Sequence, residues 1–338
     1  MRWVEEYLVS EVQKRVPEFL IDGVVPIIPT PFQPSTTGAG EGPDWHDLKS
    51  LIDFAQASGA CAVCLPAYAS EFYKLSEDER ESVVAKAVES AAGRIPVIAQ
   101  VNYTATELAI GGVKAAVRNG ASAVCMAVPR LVPTGERDLF RHFARIFNAV
   151  ELPYIIQDYN PGGPNLSPRF VAELHAAFPH FRYIKLEIPM MAPLVRDIVD
   201  ETQGQVGVLE GWGGMYMLEL IPVGIAGIMP GLGVVDILSR VFRLAKQGNL
   251  DGAYEIFIQV LPWIVYSLQN MELFHHAEKR LLKARAILES TAVRSLNMEL
   301  SFDDERQIAF LIGKVMSALD RLSMPNNPAS GAYAGQQG

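Results

Sequence analysis

The chain has 338 residues, a mass of 37.1 kDa and a net charge of −9, with 49% hydrophobic and 20% charged residues. These values are typical of a globular protein with a full core, and they exclude a disordered chain. The acidic balance lacks the basic surface that nucleic-acid binding requires, and it does not suit an anionic membrane surface. The length predicts one large domain with an appendage, or two domains.

Residues 1–20 predict an amphipathic N-terminal helix, because apolar residues recur among charged ones at helical spacing. We find no uninterrupted apolar core of the kind that marks a secretory signal. Residues 220–235 form the most apolar stretch, but glycines and prolines interrupt any helix that could span a membrane there. We therefore expect a soluble, cytoplasmic protein.

Short apolar runs alternate with helical patterns from about residue 22 to residue 240. The runs occupy residues 23–28, 61–65, 95–101, 122–128, 152–157, 182–187, 205–210 and 224–229. They are nearly continuously apolar, as parallel strands covered on both faces must be. Eight strand–helix repeats predict a (β/α)8 TIM barrel over residues 21–245. A doubly wound open sheet is the alternative, although it usually has fewer strands, and no dinucleotide-type glycine motif follows the first strand.

Helix signals separate these strands. Residues 45–59, 107–120 and 169–178 carry helical patterns. Ser76 and Glu79 have capping-box spacing, and Ser167 before Pro168 is typical of a helix start.

The character of the sequence changes after residue 245. We expect a C-terminal helical region over 246–325, with helices in 250–270, 274–291 and 302–322. The last stretch, 326–338, predicts a disordered tail because it is rich in Gly, Ala and polar residues.

Cysteine and histidine give no sign of a metal centre. Cys61, Cys64 and Cys125 are too few for a disulfide framework, and Cys61 and Cys64 form a lone C-x-x-C within an apolar run. We interpret them as buried thiols, with metal or redox use as the alternative. We therefore expect no metal.

Lys185 stands out because it interrupts the apolar run from Tyr183 to Glu187. Side chains alternate along a strand, so Lys185 faces the barrel interior if Ile184 and Leu186 face the helices. A buried lysine is costly unless it is paired or neutral, and burial lowers its pKa. A neutral amine is the nucleophile that forms a Schiff base. The alternative is that Lys185 only pairs with Glu187, which lies on the same face.

Barrel active sites lie at the carboxyl ends of the strands, so we take the residues found there as candidates. Besides Lys185, they are Tyr68, Ala69, Ser70, Glu71, Gln157, Tyr159, Glu187, Gly211, Trp212 and Met229. The glycines after strands 7 and 8 also permit a phosphate site, which leaves a phospho-sugar enzyme open as an alternative.

Six segments, taken in order, resemble the dihydrodipicolinate synthase / N-acetylneuraminate lyase family of class I, lysine-dependent aldolases and dehydratases. They are VVPIIPTPF, SEFYKLSEDER, RIPVIAQV, LPYIIQDYNP, YIKLE and GIAGIM. The resemblance covers about residues 21–290. It implies a Schiff base between Lys185 and pyruvate or another 2-keto acid, with no metal or organic cofactor.

The chain departs from the family pattern after strands 2 and 5. Residues 67–71 replace the Gly-Thr-Thr-Gly-Glu sequence that holds the keto-acid carboxylate, which leaves backbone amides or Ser70 for that role. The family's proton-relay tyrosine is ambiguous, because Tyr159 matches its local motif whereas a gap-free alignment puts Gln157 there. Tyr159 and Glu71 are our candidates for proton transfer, with Gln157 as an orienting partner. Alternatively, Tyr159 caps the barrel rim and Glu71 caps the following backbone.

Arg130 stands in place of the strand-4 tyrosine pair of the relay, and the arginine that dihydrodipicolinate synthases use for a substrate carboxylate is missing. These losses disfavour lysine biosynthesis, and the pattern Lys185, Glu187, Pro189 resembles 2-keto-3-deoxy sugar acid dehydratases. We expect a lyase that dehydrates or cleaves a 2-keto-3-deoxy sugar acid or a related pyruvate-type substrate. The alternatives are a dihydrodipicolinate synthase-like pyruvate aldolase and a non-catalytic keto-acid-binding paralogue. The resemblance also implies a homotetramer or homodimer.

Overall fold

The computed structural model describes residues 19–34, 41–160 and 163–323. Residues 1–18 of the predicted N-terminal helix and the predicted tail 326–338 lie outside the described residues. Within the described ranges, no helix is both long enough and apolar enough to cross a membrane.

Eight parallel strands form one sheet in the order β1-β8-β7-β6-β5-β4-β3-β2. Their bounds are β1 Gly23–Val24, β2 Val63–Leu65, β3 Val97–Gln100, β4 Ala123–Ala127, β5 Tyr154–Asp158, β6 Phe181–Leu186, β7 Gly207–Glu210 and β8 Gly227–Ile228. Ile27 bridges to Cys64 in parallel, and Ile28 N donates to Cys64 O at 3.0 Å, so the first strand region also meets β2. The sheet closes on itself, and the predicted TIM barrel is confirmed.

Helices follow the strands around the barrel. They are α1 Trp45–Ala57, α2 Glu77–Ala91, α3 Thr106–Arg118, α4 Glu136–Ala149, α5 Pro168–Ala177, α6 Ala192–Glu201, α7 Met217–Leu220 and α8 Val235–Lys246. The capping box of Ser76 with Glu79 forms at the start of α2. Ser167 accepts from Phe170 N at the start of α5, with proline in the first turn as the sequence predicts.

Up to residue 323, where the described part of the chain ends, four helices follow the barrel: α9 Leu250–Phe257, α10 Leu261–Ser267, α11 Met271–Ala284 and α12 Phe302–Arg321. The single helix predicted over 250–270 is therefore two, because Pro262 opens a new helix. The helix predicted over 274–291 begins and ends earlier than expected. Asn270 caps its start by accepting from Glu272 N, and Ala286, with φ 57, follows its end.

Apolar side chains pack in two separate clusters. Ile184 and Leu186 of β6 belong to the outer cluster, between strands and helices. Cys64, Cys125 and Met229 belong to the inner cluster, within the barrel, and Cys61 packs partly buried against it. The alternation along β6 therefore turns the side chain of Lys185 towards the inside.

Candidate active site

Lys185 lies at the carboxyl end of β6, directly beside Gln157 of β5 in the strand register. Its side chain is buried, with 5% of the residue exposed. The Nζ atom lies 2.8 Å from Glu187 Oε1. The ion pair that the sequence left as an alternative for Lys185 is thus present at the inner end of a cavity.

One oxygen of Glu187, Oε1, contacts two donors, the Lys185 ammonium and the Gln157 side-chain amide. Gln157 Nε2 donates to the same Oε1 atom at 2.7 Å, and Gln157 Oε1 in turn accepts from Gln100 Nε2 at 2.8 Å. Gln157 and Glu187 are both buried. The chain of contacts fixes the carboxylate, and with it the position of the Lys185 amine.

The protonation of Lys185 differs from the expectation. Burial alone lowers the pKa of the ammonium, as we expected from the sequence, but the Glu187 carboxylate and the thiols of Cys125 and Cys64 outweigh it, so the pKa is raised. The lowering expected from burial is therefore reversed, because Glu187, the partner that the sequence offered as the alternative, contacts the amine. In the resting site the lysine is an ammonium, and its proton must move before the nitrogen can act as a nucleophile.

A cavity of about 530 Å³ opens above this pair. Nine of the eleven candidate residues line it: Tyr68, Ala69, Gln157, Tyr159, Lys185, Glu187, Gly211, Trp212 and Met229. Gly211 matters for the inner end, because a Cβ there would overlap Lys185 Cε and lie 2.6 Å from Glu187 Cγ. The absence of a side chain at this position leaves room for the ion pair.

Tyr159 and Gln157 take different places, although both line the cavity. Gln157 is buried at the level of Lys185, whereas Tyr159 follows β5 at the mouth and is 37% exposed. The Tyr159 ring lies 6.3 Å from Tyr68 and 6.3 Å from Trp212 between ring centroids. Burial, followed by the charge of Glu187, raises the pKa of Tyr159, so its hydroxyl stays protonated near neutral pH.

Two predicted site residues, Ser70 and Glu71, do not line the cavity. Ser70 Oγ donates to Ile28 O at 2.6 Å, which turns the hydroxyl away from a carboxylate-binding role. Glu71 has φ 59, and its carboxylate meets Lys279 Nζ at 2.6 Å and Lys74 Nζ at 3.1 Å. Glu71 Oε2 also accepts from the backbone N of Arg294. Both residues fix the loop after β2, and neither reaches the reacting atoms in this conformation.

The glycines after strands 7 and 8 bind carboxylates of the chain itself. Gly214 N donates to Glu210 Oε2 at 2.7 Å, and Gly233 N donates to Glu278 Oε1 at 2.5 Å. A phosphate would need these backbone donors, and it would meet two buried carboxyl groups. The alternative of a phospho-sugar enzyme therefore has no support in the site.

Sequence reasoning missed one wall of the cavity, which comes from the C-terminal helices. This wall consists of Leu268, Gln269, Asn270, Met271 and Phe274, and Tyr73 from the loop after β2 joins it. No local signal in the sequence marks these residues, because only the packing of α10 and α11 brings them over the barrel mouth.

Arg130, which stands in place of the strand-4 tyrosine pair, binds within the protein. Arg130 NH2 donates to Asp158 Oδ1 at 2.6 Å, and Arg130 does not line the cavity. Among the described residues, no group of three or more His, Cys, Asp or Glu side chains is arranged to hold a metal ion.

A family model described as "Dihydrodipicolinate synthetase family" matches residues 21–309. L-2-keto-3-deoxyarabonate dehydratase of Azospirillum brasilense is 27% identical over 293 residues, covering 85% of this chain and 92% of the relative. 4-Hydroxy-tetrahydrodipicolinate synthase of Methanopyrus kandleri is 27% identical over 247 residues, covering 72% of this chain and 80% of the relative.

Solved structures of similar fold include dihydrodipicolinate synthase from Rhodopseudomonas palustris. Its TM-score is 0.80 at 23% identity, covering 89% of this chain and 99% of that one. The enzyme from Acinetobacter baumannii, crystallised in complex with pyruvate, has a TM-score of 0.77 at 22% identity and covers 88% of this chain and 99% of that one. These structures share the fold of the chain described here.

Proposed function

The chain belongs to the dihydrodipicolinate synthetase family of class I lyases, and from that premise we propose that Lys185 forms a Schiff base with a 2-keto acid. The observation that carries the proposal is a buried lysine 2.8 Å from a carboxylate, at the inner end of a cavity large enough for a substrate. The favoured reaction is loss of water from a 4-hydroxy-2-keto acid of the 2-keto-3-deoxy type. Cleavage to pyruvate and an aldehyde is the related reaction.

Imine formation begins with the transfer of the Lys185 proton to Glu187, which frees the nitrogen lone pair. The amine adds to the C2 carbonyl carbon, and Glu187 returns the proton to the former carbonyl oxygen, which leaves as water. The products are a protonated imine and a Glu187 carboxylate. This cation withdraws electrons from C3 and makes its proton acidic. The short distance between the two side chains supports this exchange.

We assign the C3 proton to Glu187 as the base, because its carboxylate lies closest to the imine nitrogen and hence to the carbons beside it. The electron pair released at C3 expels the C4 hydroxyl, which leaves as water after it takes up a proton. Tyr159 supplies that proton from the mouth side, where its hydroxyl is protonated. Gln157 holds the Glu187 oxygen in place. Water then hydrolyses the protonated imine to the keto product and the Lys185 ammonium. The proton held by Glu187 passes through solvent to the Tyr159 oxygen, which restores the resting site.

For the substrate carboxylate we propose the backbone amides of Tyr68 and Ala69, which begin the short 3-10 helix Tyr68–Ser70 at the cavity wall. The first N–H groups of such a turn have no partner within it. The hydroxyl of Ser70 is engaged elsewhere, so this role no longer includes it.

Borohydride trapping tests the proposal. The protein is incubated with pyruvate, reduced and digested, and the mass increase is mapped; we expect the adduct on Lys185. Lys279, which is equally buried but lies outside the cavity, serves as the internal control and should stay unlabelled. If neither pyruvate nor longer keto acids label Lys185, the proposed Schiff base is wrong. The alternative of a protein that binds a keto acid without turnover would then be favoured.

A second measurement separates the reactions. Once labelling succeeds, NMR of a 4-hydroxy-2-keto acid incubated with the protein distinguishes the dehydrated product from pyruvate plus aldehyde. We also propose that the chain forms a homodimer or homotetramer, and light scattering of the purified protein gives the mass that tests it.

A further inference from the structure

The cavity has two chemically different ends. Lys185, Gln157 and Glu187 form the inner end and are buried. At the outer end Tyr73, Tyr159 and Met271 are 44%, 37% and 39% exposed. Large apolar side chains that converge on a cleft while still open to solvent mark a surface that a ligand covers.

Two polar groups at the outer end, the Tyr73 hydroxyl and the Asn270 side-chain oxygen, bind within the protein. The Tyr73 hydroxyl donates to Glu272 Oε1 at 2.5 Å and lies 3.0 Å from His275 Nε2. Asn270 Oδ1 accepts from the backbone N of Glu272 and of Leu273, as the cap of α11. These groups are therefore occupied before a substrate arrives.

The outer end of the cavity also offers no cationic side chain among the described residues. Of the described residues that line the cavity, Lys185 is the one with a cationic side chain. That charge is paired with Glu187 and lies at the inner end. A second carboxylate, carried on the far end of a substrate, would lose its hydration without gaining a cation.

The rest of the outer end is lined mainly by aromatic and aliphatic side chains. The rings of Tyr68, Tyr159 and Trp212 follow one another with 6.3 Å between neighbouring centroids. Leu268, Met271 and Phe274 face them from the C-terminal helices. Aromatic faces at this spacing favour a flat or bulky apolar group.

We propose that the far end of the substrate, beyond C4, is uncharged and apolar, such as an aryl or branched alkyl group, and not a second carboxylate or a chain of hydroxyl groups. This inference rests on the proposed function, since Lys185 must hold the keto-acid end for the outer wall to meet the rest of the molecule. The cavity volume of about 530 Å³ falls in the range of sites for ligands much larger than pyruvate.

Trapping with a panel of keto acids tests the inference. The concentration that gives half-maximal borohydride labelling of Lys185 is measured for pyruvate, 2-oxoglutarate, 4-phenyl-2-oxobutanoate and a 2-keto-3-deoxypentonate. We expect 4-phenyl-2-oxobutanoate to label at a concentration about tenfold below pyruvate, which corresponds to ~1.4 kcal/mol. 2-Oxoglutarate should label no better than pyruvate.

Matched variants locate the effect. Met271→Arg puts a cation at the outer end and should shift the ratio of half-labelling concentrations towards 2-oxoglutarate. Val265→Arg puts the same charge on the exposed face of α10, outside the cavity, and should leave the ratio unchanged.

The outcomes are distinct. Labelling by pyruvate with no advantage for the phenyl compound, or with a clear advantage for the pentonate or 2-oxoglutarate, overturns this inference and leaves the Schiff-base function standing. Failure of every acid to label Lys185 overturns both.

Discussion

Glu187 Oε1 receives both the Lys185 ammonium and the Gln157 amide, so a single oxygen controls the charge and the position of the nucleophile. Such an arrangement keeps the lysine protonated at rest and gives its proton a place to go during the reaction. The raised pKa of Lys185 follows from its pairing with Glu187, and a keto acid bound to the nitrogen would change that pairing.

Replacing Glu187 by Gln should lower the pH at which Lys185 forms the imine. Without the carboxylate, burial is the largest remaining effect on the lysine and lowers its pKa, so the neutral amine appears at lower pH. Turnover should nevertheless fall by about 10²–10⁴-fold, the contribution expected of a general base. Trapping rates across a pH series, measured beside turnover, give both readouts. A trapping profile that does not move would contradict the role of Glu187.

Gly211→Ala should impair the site more than the fold. The new Cβ would overlap Lys185 Cε and crowd Glu187, and a misplacement of about 1 Å can cost about 10²-fold in rate. We expect trapping to slow by that order while the melting temperature changes little. Gly313→Ala is the control, because nothing lies within 4 Å of its Cβ. Equal losses of trapping in the two variants would show that the space at Gly211 is not required for the site.

Among the elements, α11 ties the C-terminal region to the loop after β2. Lys279 of α11 is buried, and its Nζ donates to Glu71 Oε1 at 2.6 Å and to Ala292 O at 2.8 Å. The same ammonium lies 4.5 Å above the centroid of the Phe32 ring. Burial, only partly offset by Glu71, lowers the pKa of Lys279.

Lys279→Met should destabilise the protein by ~3–5 kcal/mol, because it leaves the buried Glu71 carboxylate with less compensation. Adding Glu71→Gln should recover part of that loss, since the double variant buries no unpaired charge at this pair. Urea unfolding of the two variants and of Lys283→Met, an exposed lysine on the same helix, measures the difference. If Lys283→Met lowers the free energy of unfolding as much as Lys279→Met does, the buried pair of Lys279 and Glu71 does not explain the loss of stability.

Elements differ in how far the sequence predicts them. The alternation of side chains along β6 suffices to predict that Lys185 points inward, because it depends only on neighbouring residues in the sequence. The partners of Glu71 and Ser70 are not local: Lys279 lies 208 positions from Glu71, and Ile28 lies 42 positions from Ser70. The local sequence therefore predicts proton transfer for Glu71 and carboxylate binding for Ser70, whereas the protein itself binds both side chains. The wall from α10 and α11 escaped prediction for the same reason.

Across the whole molecule, buried ionisable groups set opposing trends with pH. Burial raises the pKa of Glu210 and Glu278 from 4.5 to about 7, so the folded protein binds more protons there and loses stability as the pH rises through this window. Burial lowers the pKa of His275 from 6.5 to about 3 and that of His180 to about 4. The unfolded chain then binds more protons, and stability falls as the pH drops below 6.5.

Glu278→Gln isolates one of these trends. The wild type should lose stability between pH 5 and pH 8 by up to ~3 kcal/mol on account of Glu278, whereas the amide does not ionise. We expect the melting temperature of the variant, relative to wild type, to rise by several degrees over that interval. Thermal unfolding at the two pH values measures it, and a constant difference would mean that Glu278 is ionised at both.

The barrel supplies the lysine, its carboxylate and the rings of Tyr68, Tyr159 and Trp212, whereas residues 268–274, which follow the eighth strand, supply the opposite wall. One wall of the cavity is therefore encoded apart from the residues to which we assign the reaction. Under the proposed function, exchange of this later stretch should change the substrate while the reaction stays intact. Engineers can do the same by grafting α10 and α11 from a relative onto this barrel, provided that the graft keeps the buried Lys279 that anchors α11 to Glu71.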